Sequence, residues 1–239
     1  MCAAVVARPH TRAASASMAR EVAIGPLGLA GTLHLPAAAS ALVVFAHGSG
    51  SSRLSPRNMA VATALNGQGM ATLLFDLLTP EEEENRANVF DIPLLADRLI
   101  EVVHWIDRQP ELVRLPLGLF GASTGAAAAL VAATRLGSRV GAVVSRGGRP
   151  DLAGSYLGRV KAPTLLIVGG NDTLVIGMNR SALMQLACPT KQLVLVPGAT
   201  HLFEEPGTLE RVAELAVAWF EQHLATKTET AWDASAEIH

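Results

Sequence analysis

Apolar and polar residues alternate along this chain in two rhythms, and the switch between them divides it into strands and helices. Continuous apolar runs at 41–47 (ALVVFAH), 71–77 (ATLLFDL), 141–148 (GAVVSRGG), 163–170 (PTLLIVGG) and 192–198 (QLVLVPG) fit strands buried on both faces. A shorter run at 117–121 (LGLFG) reads the same way. The stretch 30–36 (AGTLHLP) instead alternates and stops at a proline, as an edge strand does. Between these runs the period changes to that of a helix. Leu95, Leu99, Val102, Val103 and Ile106 recur at three- and four-residue steps, and Leu209, Val212, Leu215, Ala216, Trp219 and Phe220 form a second stripe within 207–224. Helices are also expected at MAVATALNGQG, over the alanine-rich segment from Thr124 to Leu136, and for about ten residues around Ser181 to Leu186.

Strands alternating with helices predict a mainly parallel sheet wrapped on both faces. There is no internal repeat and no second composition block, so a single domain is expected over 21–225. Residues 1–20 read as an Ala- and Arg-rich tail and 226–239 as a loose, aperiodic one. The glutamates at 81–84 read as a solvated loop or helix start.

Composition narrows the function classes. Half of the 239 residues are apolar, 17% are charged, and the formal net charge is −2. That balance gives no footprint for nucleic acid and no polybasic membrane patch. No apolar run is long enough to cross a bilayer. Cys2 and Cys188 stand far apart with no Cys/His cluster, so neither a disulfide framework nor a metal site is expected, and a reducing cytoplasm is the simplest compartment. The first twenty residues carry three arginines and no acid, which leaves a transit peptide as the alternative reading of that tail.

The chemistry collects at the carboxyl ends of the expected strands, where open α/β sheets bind their ligands. Gly121-Ala122-Ser123-Thr124-Gly125 joins a strand to a helix, the setting of a nucleophile elbow, with Ser123 as the nucleophile. Such a hydroxyl needs a base, and His201 is the histidine downstream of Ser123 in a loop at that edge. The base needs a carboxylate to orient it. Asp172 follows a buried strand, whereas Asp151 lies several residues past its strand and Glu204 is too close in sequence to His201. Asp172 also fits a plain helix cap. The oxyanion of an acyl-transfer intermediate would rest on the N–H of Thr124 and on that of Ser49, with Gly50 second, from the loop HGSG. Arg146 and Arg149 of SRGGRP are candidate contacts for a substrate carboxylate or phosphate, or else structural ion pairs.

With FAHGSGSS, LLFDLLTPEEE, GLFGASTGAAAAL, SRGGRPDL, LLIVGGNDTLV and VPGATHLF, the chain resembles the α/β-hydrolase superfamily, and within it the dienelactone hydrolase-like group, from Ile24 to Leu224. The resemblance implies a mostly parallel sheet of about eight strands, helices on both faces and a Ser123, His201, Asp172 triad. Dienelactone hydrolases proper use a cysteine nucleophile, so Ser123 points to a general ester, lactone or thioester instead. Similar sequences occur fused to a phosphoribosyltransferase, for which this chain is expected to have no room. The short segment from Ser123 to Asp172 leaves little for a lid domain. The expectation is a cofactor-free serine hydrolase acting on a small-molecule ester. An acyltransferase on the same triad and a non-catalytic ligand-binding protein of the same fold are the alternatives. Oligomeric state and natural substrate stay open.

Overall fold

The computed structural model describes residues 19–225. Both expected tails therefore fall outside the described residues, apart from Ala19 and Arg20. Among the described residues, eight strands form one sheet: β1 (Ala19–Ile24), β2 (Leu29–His34), β3 (Leu42–Ala46), β4 (Ala71–Phe75), β5 (Leu117–Ala122), β6 (Val140–Arg146), β7 (Thr164–Gly169) and β8 (Lys191–Val196). Their spatial order is β1-β2-β4-β3-β5-β6-β7-β8. The first two strands run antiparallel to their neighbours, and β3 to β8 are parallel throughout.

The continuous apolar runs follow from burial on both faces. In β3, Leu42, Val44 and Ala46 face one apolar cluster, while Val43 and Phe45 face the other. Strands β6 and β7 divide in the same way, with Val143 and Leu166 on one side and Ala142, Val144, Leu165 and Ile167 on the other. Helices α3 (Ile92–Ile106) and α4 (Thr124–Leu136) cover the first face, and α1 (Pro56–Gly67) and α6 (Thr208–Leu224) the second. All five apolar positions of the α3 stripe are buried. On α6, Val212, Ala216, Trp219 and Phe220 are buried, and Leu209 and Leu215 are only partly covered.

Three expectations need correction. The strand at 30–36 is not an edge, because β1 (AREVAI) pairs with β2 from Ala19↔His34 to Ile24↔Leu29 and takes the edge itself. The run at 192–198 is not a buried strand. As β8 it closes the other side of the sheet, and only Val196 is fully buried. The helix around Ser181–Leu186 is longer than expected and begins directly after Asp172, as α5 (Thr173–Gln185).

The glutamate run starts a short helix, α2 (Pro80–Glu83), whose Thr79 and Glu82 form a reciprocal capping box. Between β6 and β7 the chain makes only a 3-10 segment (Pro150–Arg159), so this connection holds no lid domain. None of the described helices is long and apolar enough to cross a membrane.

Candidate active site

The turn from β5 into α4 is forced by close backbone packing. A Cβ on Gly121 would lie 2.4 Å from Ala126 Cα, and one on Gly125 would lie 2.3 Å from the Ala46 carbonyl oxygen. Both spacings are far inside van der Waals contact, so both flanking positions require glycine. Ser123 sits between them at φ 51°, ψ −120°, a backbone region that side chains seldom occupy. That strain is held by neighbouring strand ends. Ser123 N–H donates to the Arg146 carbonyl (3.3 Å), and the Ser123 carbonyl accepts from Arg149 N–H (3.0 Å).

His201 and Asp172 meet across the ends of β7 and β8. His201 Nδ1 lies 2.7 Å from Asp172 Oδ2. Bonding to a carboxylate assigns the proton to Nδ1 and leaves Nε2 as the free acceptor. Asp172 occupies the N-cap position of α5, yet its side chain makes no capping bond and turns to the histidine instead. The carboxylate is mostly buried and the imidazole is partly open to solvent. Phe203, at φ 56° and buried, anchors the loop that carries His201. The ring lies over Gly147, where a Cβ would be 3.6 Å from His201 Cε1. Gly147 directly follows the residue that accepts the Ser123 N–H.

The loop after β3 meets the same point from the other side. A Cβ on Gly48 would stand 2.9 Å from Ser123 Cβ. Ser49 N–H donates to Thr124 Oγ1 at 3.0 Å, so the Ser49 amide faces the start of α4. Thr124 itself is the first residue of α4, where a helix leaves its N–H without an intrahelical partner. Gly50 adopts φ 68° and lines the adjoining cleft. His47 fixes the root of this loop. Its Nε2 accepts from Leu77 N–H (3.1 Å), which leaves Nδ1 to donate to the Gly48 carbonyl (3.0 Å). Burial pushes the His47 pKa below its ordinary value and keeps the ring neutral.

The two arginines of SRGGRP part company. Arg149 makes a paired contact with Asp151, Nε to Oδ1 at 2.9 Å and Nη2 to Oδ2 at 2.8 Å, which raises its pKa. Its guanidinium is thus committed to a structural ion pair. Arg146 is buried and reaches Asn58 of α1 with Nη2 (3.3 Å). Asn58 and its neighbour Arg57 were not singled out from sequence, because nothing local links the start of α1 to the end of β6. An open cleft of about 810 Å³ starts at the loop after β3, lined by Ser49 to Ser52, Arg57, Arg86 and Phe90 among others, while Ser123, Asp172 and His201 are not in its lining. Among the described residues, no group of three or more His, Cys, Asp or Glu side chains is placed to hold a metal ion.

Comparison with known proteins agrees with this architecture. Residues 39–218 match the model of an alpha/beta hydrolase domain. A dienelactone hydrolase structure from Anabaena variabilis is 56% identical, with a TM-score of 0.83, over 87% of this chain and 98% of that one. Est1E from Butyrivibrio proteoclasticus shares the fold at 17% identity, with a TM-score of 0.72 over 87% of this chain and 99% of its own. A Mycobacterium tuberculosis protein provisionally named a phosphoribosyl transferase is 64% identical over 205 residues, which is 85% of this chain and 46% of that protein. The chain thus spans about half the length of the curated relatives it matches. With most of its length matched by the domain model and a structural relative more than half identical, the chain belongs to the α/β-hydrolase family and is dienelactone hydrolase-like.

Proposed function

We propose that this protein is a serine hydrolase that cleaves a carboxylic ester, lactone or thioester of a small molecule. The observation that carries the reading is the 2.7 Å contact between His201 Nδ1 and Asp172 Oδ2, made by a helix-start aspartate that forgoes its own cap. A carboxylate so used fixes the tautomer of a base and stabilises the imidazolium that forms.

In the reaction, Ser123 Oγ attacks the acyl carbonyl while His201 Nε2 takes the hydroxyl proton. The carbonyl oxygen becomes an oxyanion and is received by the N–H groups of Thr124 and Ser49. Ser49 N–H exchanges its bond to the Thr124 hydroxyl for one to the oxyanion. A donor of this kind is worth about 3 kcal/mol in the transition state. His201 then gives its proton to the departing alcohol or thiol as the carbon–oxygen or carbon–sulfur bond breaks. Water attacks the acyl-serine, His201 takes a proton from it, and collapse of the second intermediate releases the acid and restores the Ser123 hydroxyl.

Turnover of p-nitrophenyl acetate by the wild type and by Ser123→Ala tests this. The variant is expected to lose activity by roughly 10⁵-fold or more, and to lose labelling by a fluorophosphonate probe. Equal turnover by the two proteins refutes the assignment of Ser123.

A further inference from the structure

Partly buried arginines in this fold are otherwise matched by carboxylates. Arg53 pairs with Asp76, Arg98 with Glu82, Arg139 with Asp107 and Arg149 with Asp151. Arg146 breaks the rule. It is the one buried arginine among the described residues, 7% exposed, and none of its ion pairs or hydrogen bonds reaches a carboxylate. Its Nε is buried with no hydrogen-bond partner. A guanidinium in that state is costly to desolvate. The cost is visible in its pKa, lowered to about 10 by burial and by the neighbouring charge of Arg57. Two arginines have been brought together where one carboxylate would have been cheaper.

The pair lies beside the candidate active site. Arg146 ends β6, and its carbonyl accepts the Ser123 N–H. Its side chain follows Ala142 and Val144 onto the face covered by α1, where it meets Asn58 in the first turn of that helix. Arg57, in the same turn, lines the 810 Å³ cleft together with Arg86. Arg86 makes no ion pair or hydrogen bond among the described residues. The first turn of the twelve-residue α1 adds the positive end of its dipole. The opposing charges are Glu204, two-thirds exposed and 3.3 Å from Arg57, and Glu83 on the cleft wall toward His47. An exposed ion pair such as Arg57 with Glu204 is worth little and is readily exchanged. Ser51 and Ser52 also line the cleft.

We propose that this end of the cleft binds a phosphate-type dianion carried by the substrate, with Arg57 and Arg86 as contacts and Arg146 as the buried cation behind them. A carboxylate would be satisfied by one guanidinium fork. Three arginines, a helix start and serine hydroxyls match the double charge and three acceptor oxygens of a phosphate monoester. The role of the site in turnover rests on the serine-hydrolase reading, but binding does not. The two therefore fail separately.

Calorimetric titration of phenyl phosphate, inorganic phosphate and benzoate into the full chain carrying Ser123→Ala, at pH 7.5 and low salt, tests it. Phenyl phosphate is expected to bind at least tenfold more tightly than benzoate. Binding should weaken at least tenfold in Arg57→Gln and in Arg146→Met, and tighten in Glu204→Gln, which frees Arg57. It should strengthen between pH 5.5 and 7.5, as a phosphate monoester gains its second charge near pH 6. Where Arg146→Met does not fold, Arg146→Lys keeps the charge but loses the fork, and a threefold or greater loss is expected. Benzoate binding as tightly as phenyl phosphate, absence of phenyl phosphate binding, or affinity unchanged in Arg57→Gln would each overturn the proposal. Inorganic phosphate binding as tightly as phenyl phosphate would assign the site to the free ion instead of a substrate group, and overturns it as stated.

Discussion

The β5–α4 elbow and the serine-rich loop after β3 meet within a few ångströms of Ser123, yet they are held by different means. The elbow is fixed by backbone against backbone: Gly121 on α4, Gly125 on the end of β3, and Ser123 bonded to the strand end beside it. Nothing in it depends on a distant side chain. The β3 loop has backbone turns of its own but is tied to the rest of the fold by side chains. His47 accepts from Leu77 N–H, Arg53 binds the Asp76 carboxylate through both its N–H (2.7 Å) and Nη1 (2.9 Å), and Ser55 caps α1. The proposed nucleophile thus rests on the stiffer support. Its partner loop, which forms one wall of the cleft, depends on groups that respond to pH and to substitution.

The sharpest way to break this comparison touches neither region. Asp172→Asn leaves elbow and loop in place but disfavours the tautomer that Asp172 imposes on His201. A drop in kcat of about 10⁴-fold is expected with little change in melting temperature. Activity within tenfold of wild type would mean that the two loops alone run the reaction.

Within the elbow, Gly125→Ala forces a methyl group onto the Ala46 and His47 carbonyls, both of them backbone that cannot yield cheaply. A loss of about 3 kcal/mol in denaturant unfolding is expected, and with it the seat of Ser123. A loss under 0.5 kcal/mol would show the contact to be soft.

The smallest effect separates the loop from the elbow through pH. Burial lowers the His47 pKa, so below its ordinary value near 6.5 the unfolded chain takes up a proton that the folded one refuses. Stability contributed by neutral His47 is complete above that value and is lost as pH falls beneath it. Thermal melts from pH 7.5 to 5.0 should show a decline that is shallower in His47→Gln. His223, whose pKa burial also lowers, adds a share that persists in that variant. An identical decline in wild type and variant would remove His47 from the account.

How much of this was legible in sequence follows the same division. The bounds of α4, the α3 stripe and the strand-to-helix position of Ser123 were readable because local backbone demands wrote them in glycine, alanine and period. Strand β1 was missed because AREVAI is exposed along most of its length and owes its place to pairing with β2. Strand β8 looked buried because QLVLV is apolar, yet sheet order, which periodicity does not encode, puts it at the edge. The pairing of Arg149 with Asp151 was available two residues along the chain. The approach of Arg146 to Asn58 spans 88 positions, and only the packing of α1 on the sheet creates it.

Strand β8 has one further consequence. The loop bearing His201 hangs from this outermost strand, which has a single neighbour, while Ser123 hangs from β5 near the middle of the sheet. Peeling one strand from the periphery would carry off His201, the proposed proton acceptor, and leave Ser123 seated. On the proposed mechanism, activity is then set by the least protected element and is expected to fade through local fraying before the domain melts as a whole.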